Sequence, residues 1–492
     1  MQTNKQPKQQ FSEKQFIAFV FNYIAGFGFI SVVMTMFDVG PFSYLVLGLT
    51  SFAILGVVLS FSRLSVLCGN SAYGGSYLIA KKAVGTNSKT KRFFVFLSGW
   101  NVSLTGSFNG VVIPAVLIFS FADIPVVKAN NNIIIGLLVG GFLLFGLLTF
   151  ISLFGLKINK KAIFYFAVIK WIVVIGGFIL GIYLIGTTNG KGFVENNLIG
   201  TRENIDFFKI IFISLALTIA FAGTEDLASI TPDVKSNNLR KCFLIAFGCV
   251  VLLYLVGFVI ISGLDGIRGY GLALGNKDPK AINNYGSIYR LVGGVPLLVI
   301  YGLGLLVNSL ASRLSMTITT ARKYVALAQD GFLPSFLAKT NKHNEYHHAV
   351  LISNLMTLLV MLIMVIIPFL PDHNNNNNSL FNAIEQLVTV TIEMAAAISL
   401  IQYFITFIFF FMIFAKKENQ KLIPLWEKVS YVISFALVSV LLFVPLFPFN
   451  QWTVFNTFKI VVLICFYLLG VGFFGYAEWK NKNKYQLMNS NS

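Results

Sequence analysis

Three of the ionisable residues inside long apolar segments are the first candidates for chemistry. Lys170 stands in the segment 162–186, and Glu225 and Asp226 are adjacent in the segment 208–231. Burying a charge in a bilayer is costly, so an ionisable residue kept at that depth is a functional candidate by default. Proton exchange and the binding of a charged ligand are the chemistry open to such groups.

Glycines interrupt two of the apolar segments near their middles. The segment 16–37 contains Gly26 and Gly28, and the segment 208–231 contains Gly223. Each glycine costs a helix about 1 kcal/mol relative to alanine. Unwound backbone inside a bilayer is tolerated only where it faces protein or a water-filled cavity, and its N–H and C=O groups can bind carboxylates, amines or ions. Alternatively, the glycines only allow helices to pack closely.

About twelve apolar runs are long enough to cross a bilayer, which takes about 20 residues. The first and sixth runs contain the glycine breaks, and helices five apart are equivalent in a five-plus-five inverted repeat. We predict an all-α membrane protein of about 12 transmembrane helices, with discontinuous helices 1 and 6 and two extra C-terminal helices. The predicted spans are 16–37, 42–62, 93–121, 132–156, 162–186, 208–231, 240–263, 294–325, 349–371, 382–414, 429–449 and 455–478.

The chain divides into two tails and a single transmembrane domain. The predicted tails are residues 1–15 and 479–492, both cytoplasmic, and the domain is 16–478. No polar stretch is long enough to bury the core of a separate soluble domain. Within the domain, the predicted parts are repeat one at about 16–186, repeat two at about 208–414 and the extra helices at about 429–478.

Composition and charge placement agree with a chain surrounded by lipid. Of 492 residues, 56% are hydrophobic and 11% are charged, whereas soluble domains carry roughly 25% charged residues. The net charge of +18 would suggest nucleic acid in a soluble protein, but no nucleic-acid-binding motif is present. Lys and Arg lie mainly in alternate gaps between the spans. The positive-inside rule therefore predicts cytoplasmic termini, and we expect a multi-pass protein of the plasma membrane.

Enzyme, metal and cofactor chemistry find no support in the sequence. The cysteines have no metal-binding or CxxC spacing, and the histidines lie in predicted loops without a nucleophile or a metal cluster. No ATP-binding fingerprint is present. We predict no catalytic residue, no metal and no cofactor. The residues concerned are Cys68, Cys242, Cys249, Cys465, His343, His347, His348 and His373.

Five segments, spread over nearly the whole chain, resemble motifs of the amino acid–polyamine–organocation (APC) superfamily. Each is weak alone, but all five occur in the family's order on the expected helices. Gln329 stands where the family usually has Arg, and Thr224 where it often has a bulky residue. The segments are Gly26–Ile30 (G-x-G-I-F), Ala72–Tyr77 (GGSY), Gly99–Trp100 (GW), Phe221–Lys235 (F-x-G-x-E, then E-V-K-N) and Arg322–Pro334 (R-x-x-x-A-x-A-R-D-G-x-L-P).

The resemblance implies an amino acid permease whose substrate lies at the two helix breaks. The backbone of the first break would bind the α-carboxylate, and carbonyl groups of the sixth-helix break would bind the α-amine. Phe29 and Phe221 are candidate cavity walls, although each of the 50 Phe residues is also a candidate for the core or the lipid face. The implied substrate-binding residues are Ala25, Gly26, Phe27, Gly28, Phe29, Phe221, Ala222, Gly223 and Thr224.

Lys170 and Glu225 are the implied coupling residues. Lys170 matches the family's fifth-helix lysine, which in proton-coupled members takes the place of a sodium ion between the first and eighth helices. It lies about 12 Å inside its helix, and the alternative is that its long side chain reaches the interface. Glu225 is the preferred proton carrier, and the alternative is a structural hydrogen bond. Asp226 would point about 100° away from Glu225 on a regular helix.

We therefore predict a secondary active transporter that moves amino acids by alternating access, as a proton symporter or an exchanger. Glu225, Asp226 and Glu393 favour cationic amino acids. The alternatives are a sodium-coupled carrier, against which Lys170 argues, and, in another class, a multi-span membrane enzyme or receptor. An amino acid, a proton and the lipid bilayer are the expected partners. The sequence does not define the cargo, the coupling stoichiometry or the oligomeric state.

Overall fold

The computed structural model describes most of the chain in atomic detail. Within the residues it describes, ten helices are long and apolar enough to cross a membrane, and nearly all other ordered backbone is also helical. The described residues are 11–25, 33, 36–68, 73–122, 124, 126–127, 130–199, 207–221, 223, 226, 228–236, 238–267, 282, 284–364, 380–415, 423–446 and 454–481.

Fifteen α-helices are described, along with four short 3-10 helices and two short strands. The 3-10 helices are Phe37–Phe42, Ile113–Ala115, Ala228–Asp233 and Ser335–Ala338, and the strands are β1 (Phe11–Ser12) and β2 (Val234–Lys235). The α-helices are α1 (Glu13–Ile24), α2 (Ser43–Cys68), α3 (Ser76–Val84), α4 (Lys89–Gly110), α5 (Val116–Phe121), α6 (Asn131–Ser152), α7 (Leu156–Thr187), α8 (Gly192–Ile199), α9 (Phe207–Ala220), α10 (Leu239–Ser262), α11 (Tyr285–Gln329), α12 (His347–Met364), α13 (Leu380–Phe414), α14 (Leu425–Leu446) and α15 (Val454–Lys480).

The first and sixth predicted spans are the ones that contain the short helices α1 and α9. Helix α1 begins at a capping box, in which Ser12 and Gln15 exchange side-chain to backbone hydrogen bonds, and such boxes fix where a helix starts. It ends at Ile24, and Ala25 is extended. Helix α9 ends at Ala220. Each helix stops just before a glycine that the sequence marks as a break, so the discontinuity of helices 1 and 6 is confirmed.

Most of the predicted spans correspond to helices of similar bounds, and the fold class is confirmed. Helix α11 packs along α7 and α4, α1 packs on α10, and α10 packs on α2. Helices α14 and α15 pack on the outside of this bundle, against α2, α4 and α13. The two extra C-terminal helices therefore pack against helices from both predicted repeats.

Several short elements were not predicted. Helix α8 lies between two predicted spans, in a stretch predicted as a loop. Helix α11 begins nine residues before its predicted span, because the kink at Gly293 and Gly294 separates its first turns from the apolar run. Residues Phe11–Ser12, assigned to a tail, instead pair in parallel with Val234–Lys235. Elements of two to eight residues depend on tertiary contacts, so hydrophobic periodicity does not reveal them.

Helix α3 follows directly after the paired glycines Gly74 and Gly75 of the GGSY segment. Gly74 and Gly75 have φ of 124° and 48°, in the region that only glycine adopts readily. The two glycines turn the chain sharply after α2, and α3 then packs along α4.

One end of the bundle, which we call the basic end, is where α1 begins and α4 begins. Ion pairs cross-link the helices there, and several are partly shielded from solvent. The pairs are Arg63 and Arg240 with Glu427, Arg92 with Glu478, Lys81 with Asp330, and Arg322 with Asp233 and Glu345.

The contact between α15 and α4 yields a stability prediction. The indole N–H of Trp100 donates to the carbonyl of Phe466 at 3.0 Å, and a Cβ added at Gly470 would collide with the same indole ring. We expect Gly470→Leu to destabilise the protein by about 1–3 kcal/mol, the usual effect of overpacking. Thermal unfolding in detergent measures this.

Gly472→Leu is the matched control, because a Cβ at Gly472 meets no atom within 4 Å. We expect it to unfold at the wild-type temperature. Equal unfolding temperatures for the two variants would contradict the packing of α15 on Trp100.

Candidate functional site

The C-terminal ends of α1 and α9 meet at one side chain. The Tyr254 hydroxyl of α10 lies 2.6 Å from the carbonyl oxygen of Ala220 and 3.1 Å from that of Ile24. Having one proton, it donates to one of these oxygens at a time. The C-terminal end of a helix carries partial negative charge. Two such ends side by side form an electronegative place that suits a cation.

Lys170 of α7 supplies one such cation. Its ammonium donates to the carbonyl oxygens of Asn22 at 2.9 Å and Ala25 at 2.8 Å, in the last turn of α1. The residue is 1% exposed, and its Nζ lies 4.8 Å from the centroid of the Trp171 ring. No carboxylate is among its described partners. Lys170 therefore lies inside the bundle, on the end of α1, and does not reach an interface.

A second buried charge lies just beyond the sixth-helix break. The Asp226 carboxylate forms an ion pair with the Lys323 ammonium of α11 and accepts a hydrogen bond from the Tyr23 hydroxyl at 2.5 Å. Lys323 also donates to the carbonyl of Val102 in α4, at 2.8 Å. Tyr23 of α1 and Lys323 of α11 thus contact Asp226 directly, and α4 joins the cluster through Lys323.

Gly223 connects α9 to this cluster and must be a glycine. Its φ is 116°, and an added Cβ would meet the Tyr23 ring. A side chain here would be strained by its backbone and would displace the tyrosine that bonds Asp226. The glycine in F-x-G-x-E therefore has a direct structural reason.

Nearer the basic end, parts of three motif segments form one buried cluster. Arg322 donates to Asp233 at 2.8 Å and to Glu345 at 3.0 Å, and Tyr73 donates to Asp233 at 2.8 Å. Burial, and then the neighbouring Asp233 carboxylate, raise the pKa of Tyr73 above its ordinary value. Its hydroxyl therefore stays protonated as a donor. These motif residues fasten the segment after α9 to α11.

The structure describes part of the predicted substrate site. Ala25 has both backbone groups in use, because its N–H donates to Phe21 at 2.8 Å and its carbonyl accepts from Lys170. The Phe221 ring is fully buried and packs against the Tyr254 ring, with 4.9 Å between the ring centroids. The other predicted residues, Gly26, Phe27, Gly28, Phe29, Ala222, Thr224 and Glu225, lie outside the described residues.

Glu393 lies away from the core. Its side chain is 45% exposed and pairs with Lys459 at 2.8 Å. Glu393 therefore does not face the interior, because Lys459 on the neighbouring helix α15 holds its carboxylate at the surface.

Sequence reasoning missed Tyr23, Tyr254 and Lys323. Lys323 has a usable signal, because it is one of three basic residues inside the predicted span 294–325, but it also belongs to a motif segment that runs on into a loop. The two tyrosines had none, because the chain has 18 tyrosines and nothing local separates these two from the rest.

Interrupted helices with converging ends, inside an almost entirely helical bundle, are the construction of membrane transporters. A family model for amino acid permeases matches residues 11–473. The chain belongs to the amino acid permease family, and the resemblance to the APC superfamily is confirmed.

Two relatives and one solved structure show how far the similarity extends. The uncharacterized protein MG226 homolog of Mycoplasma pneumoniae is 64% identical over 490 residues, which are 98% of this chain and 97% of that protein. The uncharacterized protein MG225 of Mycoplasma genitalium is 36% identical over 97% of each chain. A crystal structure of MhsT in complex with L-phenylalanine has a TM-score of 0.57 at 15% identity, and the match covers 89% of this chain and 98% of that one. The last match shows a shared fold.

The position of Tyr254 between the two helix ends is testable. In Tyr254→Phe, the buried carbonyl groups of Ile24 and Ala220 lose the one donor that they share, and an unsatisfied buried polar group costs about 1–3 kcal/mol. We expect a lower unfolding temperature in detergent. Tyr44→Phe is the control, because Tyr44 is 43% exposed and should unfold like the wild type. Unchanged stability of Tyr254→Phe would show that the hydroxyl does not hold these ends.

Proposed function

We propose that this protein is a secondary active transporter that carries amino acids across the plasma membrane by alternating access, coupled to protons or working as an exchanger. The observation that carries the proposal is the meeting of two helix ends at Tyr254, with Lys170 on the carbonyl groups of α1. Membership of the amino acid permease family supports the amino acid cargo. The placement of Lys and Arg supports cytoplasmic termini.

The proposed substrate site uses opposite backbone charges. The α-amine would bind at the carbonyl groups of the sixth-helix break, at the electronegative end of α9, and the α-carboxylate at backbone N–H groups of the first break. Ala25 would lie at the edge of this site, since its N–H and carbonyl groups already have hydrogen-bond partners. The proposed binding set is otherwise the one drawn from the sequence, Gly26 to Phe29 and Phe221 to Thr224, with Lys170 and Glu225 as coupling residues.

Lys170 supports a sodium-independent cycle. Two carbonyl groups at the end of α1, which would suit a metal cation, already accept hydrogen bonds from its ammonium. A sodium ion in that place would meet both a fixed positive charge and occupied ligands. A proton-coupled or exchanging carrier is therefore favoured over the sodium-coupled alternative.

The paired charges favour a cargo without a charged side chain. The sequence predicts a cationic cargo from three acidic residues. However, Lys323 neutralises Asp226, and Glu393 is exposed and paired with Lys459. Of the three acidic residues, only Glu225 still supports a cationic cargo. We therefore propose zwitterionic amino acids with neutral side chains as the cargo.

Lys170→Ala should abolish or uncouple transport while the protein still inserts, because α1 loses the cation that satisfies its last carbonyl groups. Uptake of a mixture of radiolabelled standard amino acids into proteoliposomes, at several external pH values, measures this. Lys161→Ala, an exposed position on the same helix, is the control and should transport like the wild type. Wild-type uptake with the wild-type pH response in Lys170→Ala would remove this lysine from the mechanism.

A thermal-shift screen against each standard amino acid tests the cargo, because a ligand that binds only the folded state raises its apparent stability. We expect one or more neutral amino acids to raise the unfolding temperature, and arginine and lysine to have little effect. Replacing sodium by choline should leave both the shift and uptake unchanged. A shift given only by arginine or lysine would contradict the neutral cargo, and a shift that needs sodium would contradict the role given to Lys170.

A further inference from the structure

The Asp226–Lys323 ion pair joins the interrupted helices α1 and α9 to the helices α4 and α11. Asp226 follows the interrupted helix α9, and its hydrogen-bond donor Tyr23 lies at the end of the interrupted helix α1. Lys323 belongs to α11, and its second acceptor is the carbonyl of Val102 in α4. Tyr23 and Asp226 are thus on one side of the contact, and the helices α11 and α4 are on the other.

Water is excluded from this pair. Asp226 and Lys323 are each 1% exposed, although Lys323 is only six residues from the end of α11. Separating two buried charges leaves both without a partner, which is strongly unfavourable. The interrupted helices therefore cannot move away from α11 while both side chains stay charged.

We propose that Asp226 carries the proton that drives transport, and that its pairing with Lys323 is the lock that the proton opens. This inference rests on the proposed function and adds a coupling residue to it. The proton binds the Asp226 carboxylate and converts it to a neutral acid. Lys323 keeps its own proton and its bond to Val102. With no negative charge opposite the ammonium, the attraction between Asp226 and Lys323 is lost, and α1 and the start of the segment after α9 can move away from α11. The far end of that segment stays joined to α11, because Arg322 still pairs with Asp233.

The cycle closes by the reverse step. Asp226 releases the proton to the water that enters when the helices separate, and the carboxylate then pairs with Lys323 again. One proton is taken up and one released in each cycle, and no covalent bond to the substrate forms or breaks.

The groups facing Asp226 are few. Tyr23 faces it from α1, Lys323 from α11, and the main-chain oxygen of Asp226 accepts a hydrogen bond from Ser229 at 2.5 Å. The other buried cations of α7 and α11 have their hydrogen-bond partners elsewhere. Lys170 bonds carbonyls of α1, Arg322 pairs with Asp233 and Glu345, and Arg313 donates to Asn354 and Thr357 of α12, although its charge also acts on Tyr23. Among the described residues, Lys323 is therefore the cation that titration of Asp226 would release.

Asp226→Asn tests the proposal, because the amide can accept from Tyr23 but cannot take up a proton. Wild type and variant are reconstituted in proteoliposomes with a mixture of radiolabelled standard amino acids. Two rates are measured: exchange without a gradient, and accumulation driven by an inward proton gradient. We expect the variant to keep exchange and to lose most gradient-driven accumulation, together with the acidification of the lumen reported by an internal pH dye. Accumulation and acidification at the wild-type level would overturn the proposal.

Glu478→Gln is the matched control. It also removes a carboxylate from a largely buried ion pair, with Arg92, but at the contact between α4 and α15. We expect it to keep proton-driven accumulation. Loss of accumulation in this control as well would overturn the specific role of Asp226. Absence of exchange in the wild type would count against the proposed function itself, so the two failures are distinguishable.

Lys323 supplies an independent test. Lys323→Arg keeps a cation opposite Asp226 and should retain proton-driven accumulation, whereas Lys323→Met should transport with half-maximal uptake at a higher pH, since protonation no longer competes with an ammonium. A wild-type pH profile in a folded Lys323→Met would overturn the proposal. If either single variant does not fold, Asp226→Asn combined with Lys323→Met leaves no charge unpaired, and it must show exchange without proton-driven accumulation.

Discussion

Carbonyl groups at the end of a helix have no partner within that helix, and the interior of a bilayer supplies no water to replace one. Helix α1 meets this constraint at Ile24 and α9 meets it at Ala220. Two side chains from neighbouring helices satisfy both ends: Tyr254 of α10 reaches both carbonyl groups, and Lys170 of α7 reaches the last turn of α1. The position of the site follows from this, because these partners fix where the two electronegative ends lie.

Helix α11 then positions the chain beyond the second break. Its consecutive residues Arg322 and Lys323 reach two acids seven residues apart, Asp233 and Asp226. The segment between these acids includes the 3-10 helix Ala228–Asp233, which is bound at both ends to one rigid helix. Toward the basic end, strand β1 adds a main-chain connection from the start of α1 to Val234 and Lys235. Helix α1 and this segment are therefore held together and to α11 by separate contacts.

The sequence predicts the scaffold of this protein better than its contacts. Runs of apolar residues locate the spans because the bilayer imposes their length, and Gly26 and Gly223 mark the breaks because glycine disfavours helix. Lys170 could be singled out because a charge at that depth is costly. Its partners could not, since Asn22 lies 148 residues away in sequence and a carbonyl acceptor has no residue-type signature. Tyr254 is an ordinary tyrosine until the ends of α1 and α9 are placed beside it.

The acidic residues also show that the sequence does not reveal the partners of a side chain. Asp226 and Glu393 are both acids within predicted spans, and sequence alone gives them equal weight as signs of a cationic cargo. Their partners separate them, because Lys323 neutralises the first inside the bundle and Lys459 holds the second at the surface. The central claim is that the end of α9, which Tyr254 joins to the end of α1, receives the amino group of a substrate. The most direct measurement is a cryo-electron microscopy structure of the protein saturated with the amino acid that stabilises it most. The account predicts ligand density between the two helix ends, with its amine within hydrogen-bond distance of carbonyl groups at the end of α9. Ligand density at any other place would contradict it.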